Sequence, residues 1–504
     1  MPMRPFAKIV LMLVTLSVAD ARAAALPDVP AADAARNAFA PTATRTRPLA
    51  PPVTTSHVLR LRGQRLRYSA SVSEWPVRGP DGRSLGAIVT EAYVADSKNG
   101  TERPVTFVYN GGPGAASWSL QMEGIGPRLY DAATGTIGDN PDSILDATDL
   151  VFIDPLGTGA SFPSAGADAS SVWNTPGDAR SIIAVIDAWL VANHRKNAPQ
   201  LLLGESYGTM RSLAVLHEDA AQPKLNVSGV MLLSLFLSNY QDDDLAALTL
   251  LPSLATTADV HGARRVAASS AAQVYEDALR FARDRYAPAL LEGYGLSKQR
   301  LHAVATEMSA QTGVPADVLE ASRLRIDRKQ FGQHLVLPHA NGHVGSLDTR
   351  VVGGAEFEGL ADPYNDPSMT LGKRPAALME RYLATLGYRV AAPYRPLNLS
   401  INNGNWYFRA PSVSDEVHND SLDATAWLVD AMNANPNLQL FTAGGYYDTA
   451  TPLYRGLYLL DHAQIDRSRW TSAAYPSGHG IAEDPLQRRH LAADLRAFIA
   501  KALR

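Results

Sequence analysis

The chain has 504 residues, is 46% hydrophobic and 19% charged, and carries a formal net charge of −4. Such a length can bury a large core; it sets a soft prior of about three domains, though α/β enzymes with insertions often run as one extended domain. The near-neutral balance, without a Walker loop, dinucleotide fingerprint or basic tract, gives no reason to expect a nucleic-acid partner. There are no cysteines, so the fold must stand on its core without disulfides, which a chain of this size can do.

The N-terminus reads as a signal peptide over residues 1–23. Arg4 and Lys8 supply the positive region, residues 9–18 a short apolar run, and Ala21-Arg22-Ala23 a small-x-small cleavage site. The run is short for a bilayer, so a retained anchor is the weaker reading and no membrane span is expected after cleavage. Export without cysteines fits a bacterial periplasmic or secreted protein. Residues 24–52, rich in Ala, Pro, Thr and Arg, read as a flexible lead-in.

From residue 56 to 94, alternating stretches separated by Arg62-Gly63 and Gly79-Pro80-Asp81-Gly82 predict antiparallel hairpins. Short apolar runs at 105–109, 150–153, 200–203, 229–233 and 438–442 predict buried strands, with helices between them, as at 179–190. Strands alternating with helices predict a mostly parallel sheet covered on both faces. The pattern turns mainly helical between about 240 and 405. The expected organisation is therefore an α/β core at 53–239 and 406–504, with an inserted helical cap at 240–405 over the ligand-binding edge of the sheet.

The strongest local signal is Gly204-Glu205-Ser206-Tyr207-Gly208, placed between a predicted strand and a predicted helix. Strand, Gly-x-Ser-x-Gly, helix is the arrangement that lifts a serine hydroxyl clear of a sheet on a strained turn, as in the α/β-hydrolase fold. An activated serine needs a base, an orienting acid and an oxyanion hole. Asp448 follows the 438–442 strand and His479 follows a predicted strand at 471–475, giving the chain order Ser, Asp, His. Asn110-Gly111-Gly112-Pro113-Gly114 follows the 105–109 strand, so the N–H groups of Gly112 and Tyr207 are the expected oxyanion donors. Taken singly, Asp448 fits a turn residue, His479 a packed histidine and Asn110 to Gly114 a plain Gly-Pro turn; their order makes the catalytic reading the better one.

Four motifs in order give the chain a family resemblance. Asn110-Gly111-Gly112-Pro113-Gly114-Ala115-Ala116-Ser117 is similar to NGGPGCSS of the serine carboxypeptidases, the family of carboxypeptidase Y. The stretch from Asn140-Pro141 to Phe152-Ile153-Asp154-Pro155-Leu156-Gly157-Thr158-Gly159-Ala160-Ser161 is similar to its NPYSW…FLDQPxGTGFS, Gly204 to Gly208 to GESYGG, and Asp448 and Gly478-His479 to its later acid and histidine. The chain resembles the bacterial branch of that family. The resemblance implies peptide substrates with a free C-terminus, and carboxylate-binding roles for Asn110 and Glu205. It also implies a second glutamate paired with Glu205, but here Gly124 stands at that position and Glu123 one residue earlier. Ala115 replaces the family's cysteine.

No metal or cofactor is expected. His339 and His343 have helical metal-pair spacing, but Pro338 and Gly342 argue for a loop and no third ligand is evident. Trp406 and Tyr407 fit core packing better than pocket lining. The leading expectation is a secreted serine carboxypeptidase acting through an acyl-enzyme. An esterase or acyltransferase on the same residues, and a non-catalytic periplasmic binding protein, are the alternatives; the oligomeric state is open.

Overall fold

The computed structural model of the protein describes residues 38–96, 102–131, 134–240, 242–335, 343–354, 365–369, 375–401, 406–409 and 421–504. Residues 1–23, read above as a signal peptide, residues 24–37 of the lead-in and His339 lie outside the described residues.

Three long strands come first: β1 (Val53–Leu61), β2 (Gln64–Arg78) and β3 (Ser84–Ala95). They pair antiparallel, β1 with β2 and β2 with β3. The β1–β2 turn is Arg62-Gly63, both with positive φ, a conformation glycine adopts without strain. Residues of β1 and β2 alternate between more and less exposed, as a strand with one wet face must.

Then follow β4 (Val105–Tyr109), the hairpin β5 (Arg128–Asp131) and β6 (Thr136–Asp139), β7 (Asp149–Asp154), the short β8 (Phe162–Pro163), β9 (Gln200–Glu205) and β10 (Val227–Leu233). A two-residue pair, β11 (His343–Val344) and β12 (Val352–Gly353), precedes β13 (Gln439–Gly445) and β14 (Trp470–Tyr475). The ten-stranded sheet has the order β1-β2-β3-β7-β4-β9-β10-β13-β14, with β8 beside β3. Every pair from β7 to β14 is parallel. Residues of β4, β7 and β9 are buried along their whole length, as strands covered on both faces are.

The helices are α1 (Thr175–Ala192), α2 (Tyr207–Ala221), α3 (Asp243–Val260), α4 (Ala271–Phe281), α5 (Ala287–Glu292), α6 (Lys298–Thr312), α7 (Ala316–Ala321), α8 (Arg328–His334), α9 (Pro375–Thr385), α10 (Thr425–Ala434), α11 (Leu453–His462) and α12 (Pro485–Ala502). Asn174 sets the start of α1 by accepting the Gly177 N–H. On one face of the sheet, Phe107 and Val151 pack with Ile186 and Trp189 of α1 and Met210 and Leu213 of α2. On the other, Val108 and Phe152 pack with Leu491, Leu495 and Phe498 of α12. Neighbours along β4 therefore serve opposite cores, each buried side chain contributing about 1.5–3 kcal/mol. No helix among the described residues is long and apolar enough to cross a membrane.

Between β10 and β13, α3 to α8 enclose a separate apolar cluster that includes Leu251, Tyr286, Met308 and Phe331. Residues 38–52, read above as part of a flexible lead-in, lie against the body. Arg45 is buried and meets Glu74 at 2.7 Å, and Arg395 donates to the carbonyls of Ala38 and Ala40. A mid-strand carboxylate and an arginine far along the chain hold a segment whose own composition promises no structure.

Candidate active site

The β9–α2 junction places Ser206 where the strand ends and the helix begins. Ser206 has φ 61° and ψ −130°, a strained backbone for a residue with a Cβ. Its N–H donates to the Leu233 carbonyl of the adjacent β10 at 2.9 Å, which ties the turn to the sheet. The flanking glycines are sterically required: a Cβ at 204 would lie 2.1 Å from the Gly208 carbonyl oxygen, and one at 208 would lie 2.9 Å from that of Tyr109.

The loop after β4 presses on the same turn. A Cβ on Gly111 would come within 2.4 Å of the Tyr207 nitrogen, so the two backbones touch. Tyr207 opens α2, and its N–H has no carbonyl partner within the helix. The Gly112 N–H makes no backbone hydrogen bond among the described residues. The Tyr207 side chain is buried among Thr175, Asp178, Arg211 and the ring of Trp406, 5.3 Å away. Trp406 thus packs in the core, while the Tyr407 carbonyl accepts the Thr175 N–H.

Asp448 is fully buried. Its Oδ1 accepts the N–H groups of Ala450 and Thr451, and its Oδ2 accepts from the Thr451 hydroxyl at 2.7 Å and pairs with His479 Nδ1 at 2.8 Å. The anchored carboxylate leaves Nε2 as the ring nitrogen free to exchange a proton. The His479 backbone is clamped on both sides: its N–H donates to the Leu347 carbonyl at 2.6 Å, and its carbonyl accepts the Ser234 hydroxyl at 2.6 Å. Burial pulls the His479 pKa down, but the charge and hydrogen bond of Asp448, then Glu205 and Glu483, outweigh it and raise it to about 9. Ser206 Oγ and His479 Nε2 form no hydrogen bond with each other; such contacts are often long before substrate binds.

Glu205 is 7% exposed, and its Oε1 accepts from Asn110 Nδ2 at 2.7 Å. Burial is the main cause that raises its pKa to about 7; His479 and the Asn110 hydrogen bond oppose the shift, while Glu483 and Asp448 reinforce it. Glu205 and His479 share a cavity of about 270 Å³ with Asp348, Arg350, Glu483 and Asp484.

The seven residues singled out in the sequence thus fall at one end of the sheet: Asp448 beside His479, Asn110 beside Glu205, and Gly112 and Tyr207 flanking the Ser206 turn. Sequence reasoning missed Thr451, which braces both Asp448 and His479, and Leu347, a clamp from outside the sheet. It also missed Glu483. Glu123 lines neither this cavity nor the small one beside it, whereas Glu483 lines both together with Glu205. A Cβ at Gly124 would sit 3.5 Å from that of Ala482, and Glu483, the next residue in the turn after His479, shares both cavities with Glu205. The one available signal was its place four residues past His479. Among the described residues no group of three or more potential ligands gathers as a metal site.

A mainly parallel sheet with helices on both faces, and a serine held on a strained strand-to-helix turn, define a serine hydrolase of the α/β-hydrolase fold. The serine carboxypeptidase family model matches residues 92–257. Over that segment the chain is similar to that family. The matched segment contains Asn110, Glu205 and Ser206; Asp448 and His479 lie beyond it. In fold, the protein is similar to the prohormone-processing carboxypeptidase Kex1 of Saccharomyces cerevisiae, with a TM-score of 0.55 at 12% identity over 86% of this chain and 91% of that one. Weaker matches include the peroxisomal α/β-hydrolase Lpx1 of the same yeast, with a TM-score of 0.34 at 11% identity over 90% of each chain. Another is the esterase RhEst1 of a Rhodococcus species, with a TM-score of 0.33 at 15% identity over 85% of this chain and 98% of that one. No curated protein matches the sequence.

Proposed function

We propose that this protein is an exported serine carboxypeptidase that removes C-terminal residues from peptides through an acyl-enzyme. The observation that carries the reading is the Asp448–His479 pair, 2.8 Å apart, whose histidine lines the same cavity as Glu205, the hydrogen-bond partner of Asn110. One pair suits proton transfer, the other recognition of a chain end.

In this mechanism Ser206 Oγ attacks the last peptide carbonyl while His479 Nε2 takes its proton. Asp448 holds the imidazole in orientation and stabilises its positive form. The N–H groups of Gly112 and Tyr207 receive the developing oxyanion, each worth on the order of 3 kcal/mol at the transition state. His479 then protonates the leaving amine, the terminal residue departs, and water, deprotonated by His479, releases the acyl group. A carboxyl group donates a hydrogen bond to a carboxylate only when protonated. Glu205, held protonated up to about pH 7, thus binds the substrate's terminal carboxylate together with Asn110.

The test is incubation with a mixed peptide library, read by mass spectrometry, beside labelling by a fluorophosphonate. Loss of single residues from C-termini supports the proposal. Labelling without trimming, with ester cleavage or acyl transfer instead, favours the esterase or acyltransferase. No labelling at all favours a binding protein. Export rests on the charged and apolar start of the sequence. N-terminal sequencing of the native protein should find a chain beginning near Ala24, and a mature chain retaining residues 1–18 would refute cleavage.

A further inference from the structure

Glu91 of β3 and Asp154 of β7 are a second pair of buried acids, and neither lines the cavity beside His479. Each is 1% exposed. Across the antiparallel β3–β7 ladder, Glu91 stands opposite Phe152 and Val89 opposite Asp154. The two carboxyl groups are therefore diagonal neighbours on one face of the sheet. Over this part of the sheet the face is covered by Met379, Tyr382 and Leu383 of α9 and by Tyr388 and Tyr394 after it.

The two acids are used differently. Asp154 Oδ1 accepts the Ser117 N–H at 2.8 Å, and Oδ2 accepts the Ala160 N–H at 3.1 Å. Ser117 closes the glycine-rich loop after β4, and its hydroxyl donates to the Ile153 carbonyl at 2.5 Å, so the loop is tied twice to the end of β7. Gly159 makes room for the carboxylate: a Cβ there would lie 1.7 Å from Oδ2. Two N–H donors suit the ionised form of Asp154. Burial raises its pKa, and these two bonds oppose the rise.

Neither oxygen of Glu91 has a hydrogen-bond partner among the described residues. The groups that act on it are Asp154 from β7, Tyr93 from β3, Tyr382 from α9, and Tyr388 and Tyr394 from the segment that follows. Tyr93 is engaged with Tyr382 and Gln121, and Tyr388 donates to Glu74. The Tyr394 hydroxyl is unpartnered. No cation stands among these groups. Burial, then the charge of Asp154, pushes the Glu91 carboxyl well above the usual carboxylate range. A second anion at this depth, without donor or counter-ion, is strongly disfavoured. One proton therefore stays with the pair, on Glu91.

We infer that Asp154 is a positioning residue that holds the proposed oxyanion loop through Ser117, and that Glu91, by staying neutral, keeps that carboxylate in place. The positioning half rests on the carboxypeptidase reading above. When Glu91 loses its proton, two like charges share one face in apolar surroundings, and the anchor of the loop is repelled. The pair is a pH-sensitive brace beneath the loop, tight while Glu91 is protonated and loosened in alkali.

The first arm of the test is urea denaturation of wild type and Glu91→Gln over a series of pH values. Folded Glu91 keeps a proton that the unfolded chain releases above about pH 4.3. The stability it contributes is thus present below that value and lost as pH rises. The unfolding constant of the wild type, relative to the variant, should grow by up to about tenfold per pH unit. Glu205 and His479 titrate in both proteins and cancel. A ratio that does not change with pH overturns the inference. Should the glutamine variant not fold, Glu91→Met, similar in length and without a hydrogen-bonding oxygen, gives the same comparison. If neither folds, the carboxyl group is itself a required partner, and the inference is overturned.

The second arm is kinetic. In Asp154→Asn one amide oxygen can accept only one of the two N–H groups, and its own NH₂ meets the other. In folded protein, checked by circular dichroism, kcat should fall by about 10- to 100-fold with KM nearly unchanged. A lowered denaturation midpoint with wild-type kcat would mean a merely structural role and overturn the positioning. If this variant does not fold, Glu91→Gln decides: its kcat relative to wild type should rise with pH, and parallel profiles overturn the positioning. If no substrate is turned over and no fluorophosphonate labels the protein, the carboxypeptidase reading fails and the positioning role with it. The denaturation series then still decides the proton pair.

Discussion

Arg211, buried in α2, donates through Nη1 to the main-chain carbonyl of Asn110 at 2.5 Å, while its Nε bonds Asp178 Oδ2 at 2.6 Å. The guanidinium lies 5.4 and 5.0 Å from the rings of Tyr109 and Tyr207. One side chain thus joins the glycine-rich loop after β4 to the helix that follows Ser206, and fixes the distance between the two proposed oxyanion donors.

Arg211→Met should cost about 3–5 kcal/mol of stability, because it strands the buried Asp178 carboxylate without its counter-ion. Chemical denaturation would show a lowered midpoint. Adding Asp178→Asn should recover part of the loss. Equal stability of the single variant and the wild type would show that the pair does not hold this part of the core.

Ser206→Ala should leave the fold intact and reduce turnover by about 10⁴ to 10⁶. The measurement is kcat on the best peptide from the library, with circular dichroism as control. Near-normal turnover in the purified variant would remove Ser206 as nucleophile.

Asp448→Asn should act through His479. With the negative charge gone, burial dominates and the imidazole titrates well below its wild-type value of about 9. Turnover should fall by about 10⁴, since the asparagine no longer stabilises the imidazolium. NMR titration of the His479 ring and kcat together check this. A titration that stays in place would mean that Glu205 and Glu483, not Asp448, hold the proton there.

Glu205 should give free-acid substrates a pH dependence that amidated ones lack. Its carboxyl loses its proton as pH rises through about 7, after which it repels a terminal carboxylate. The ratio of kcat/KM for matched acid and amide substrates should therefore fall through that range. Glu205→Gln should flatten the ratio, because an amide donates at any pH. The same variant should lower the His479 pKa, since Glu205 is one of the charges that raise it. A wild-type ratio that does not change with pH would favour the esterase or acyltransferase.

The strands were legible because burial on both faces leaves continuous apolar runs: the run at 105–109 is β4, those at 150–153, 200–203 and 229–233 lie within β7, β9 and β10, and that at 438–442 overlaps β13 from its second residue. The turn at Ser206 was legible because its flanking glycines meet backbone atoms where no Cβ fits. Both signals are local, written in consecutive residues by period and by steric exclusion. What the tertiary structure alone decided is the company these residues keep. Leu347 clamps His479 from 132 residues away in sequence (479 − 347), and Glu483, rather than a residue at 123 or 124, faces Glu205. Arg211 reaches Asn110 across 101 residues. A buried charge or a carbonyl that accepts one hydrogen bond leaves no periodic trace in the sequence, because its partner is chosen by the packing of the sheet and not by its neighbours in the chain.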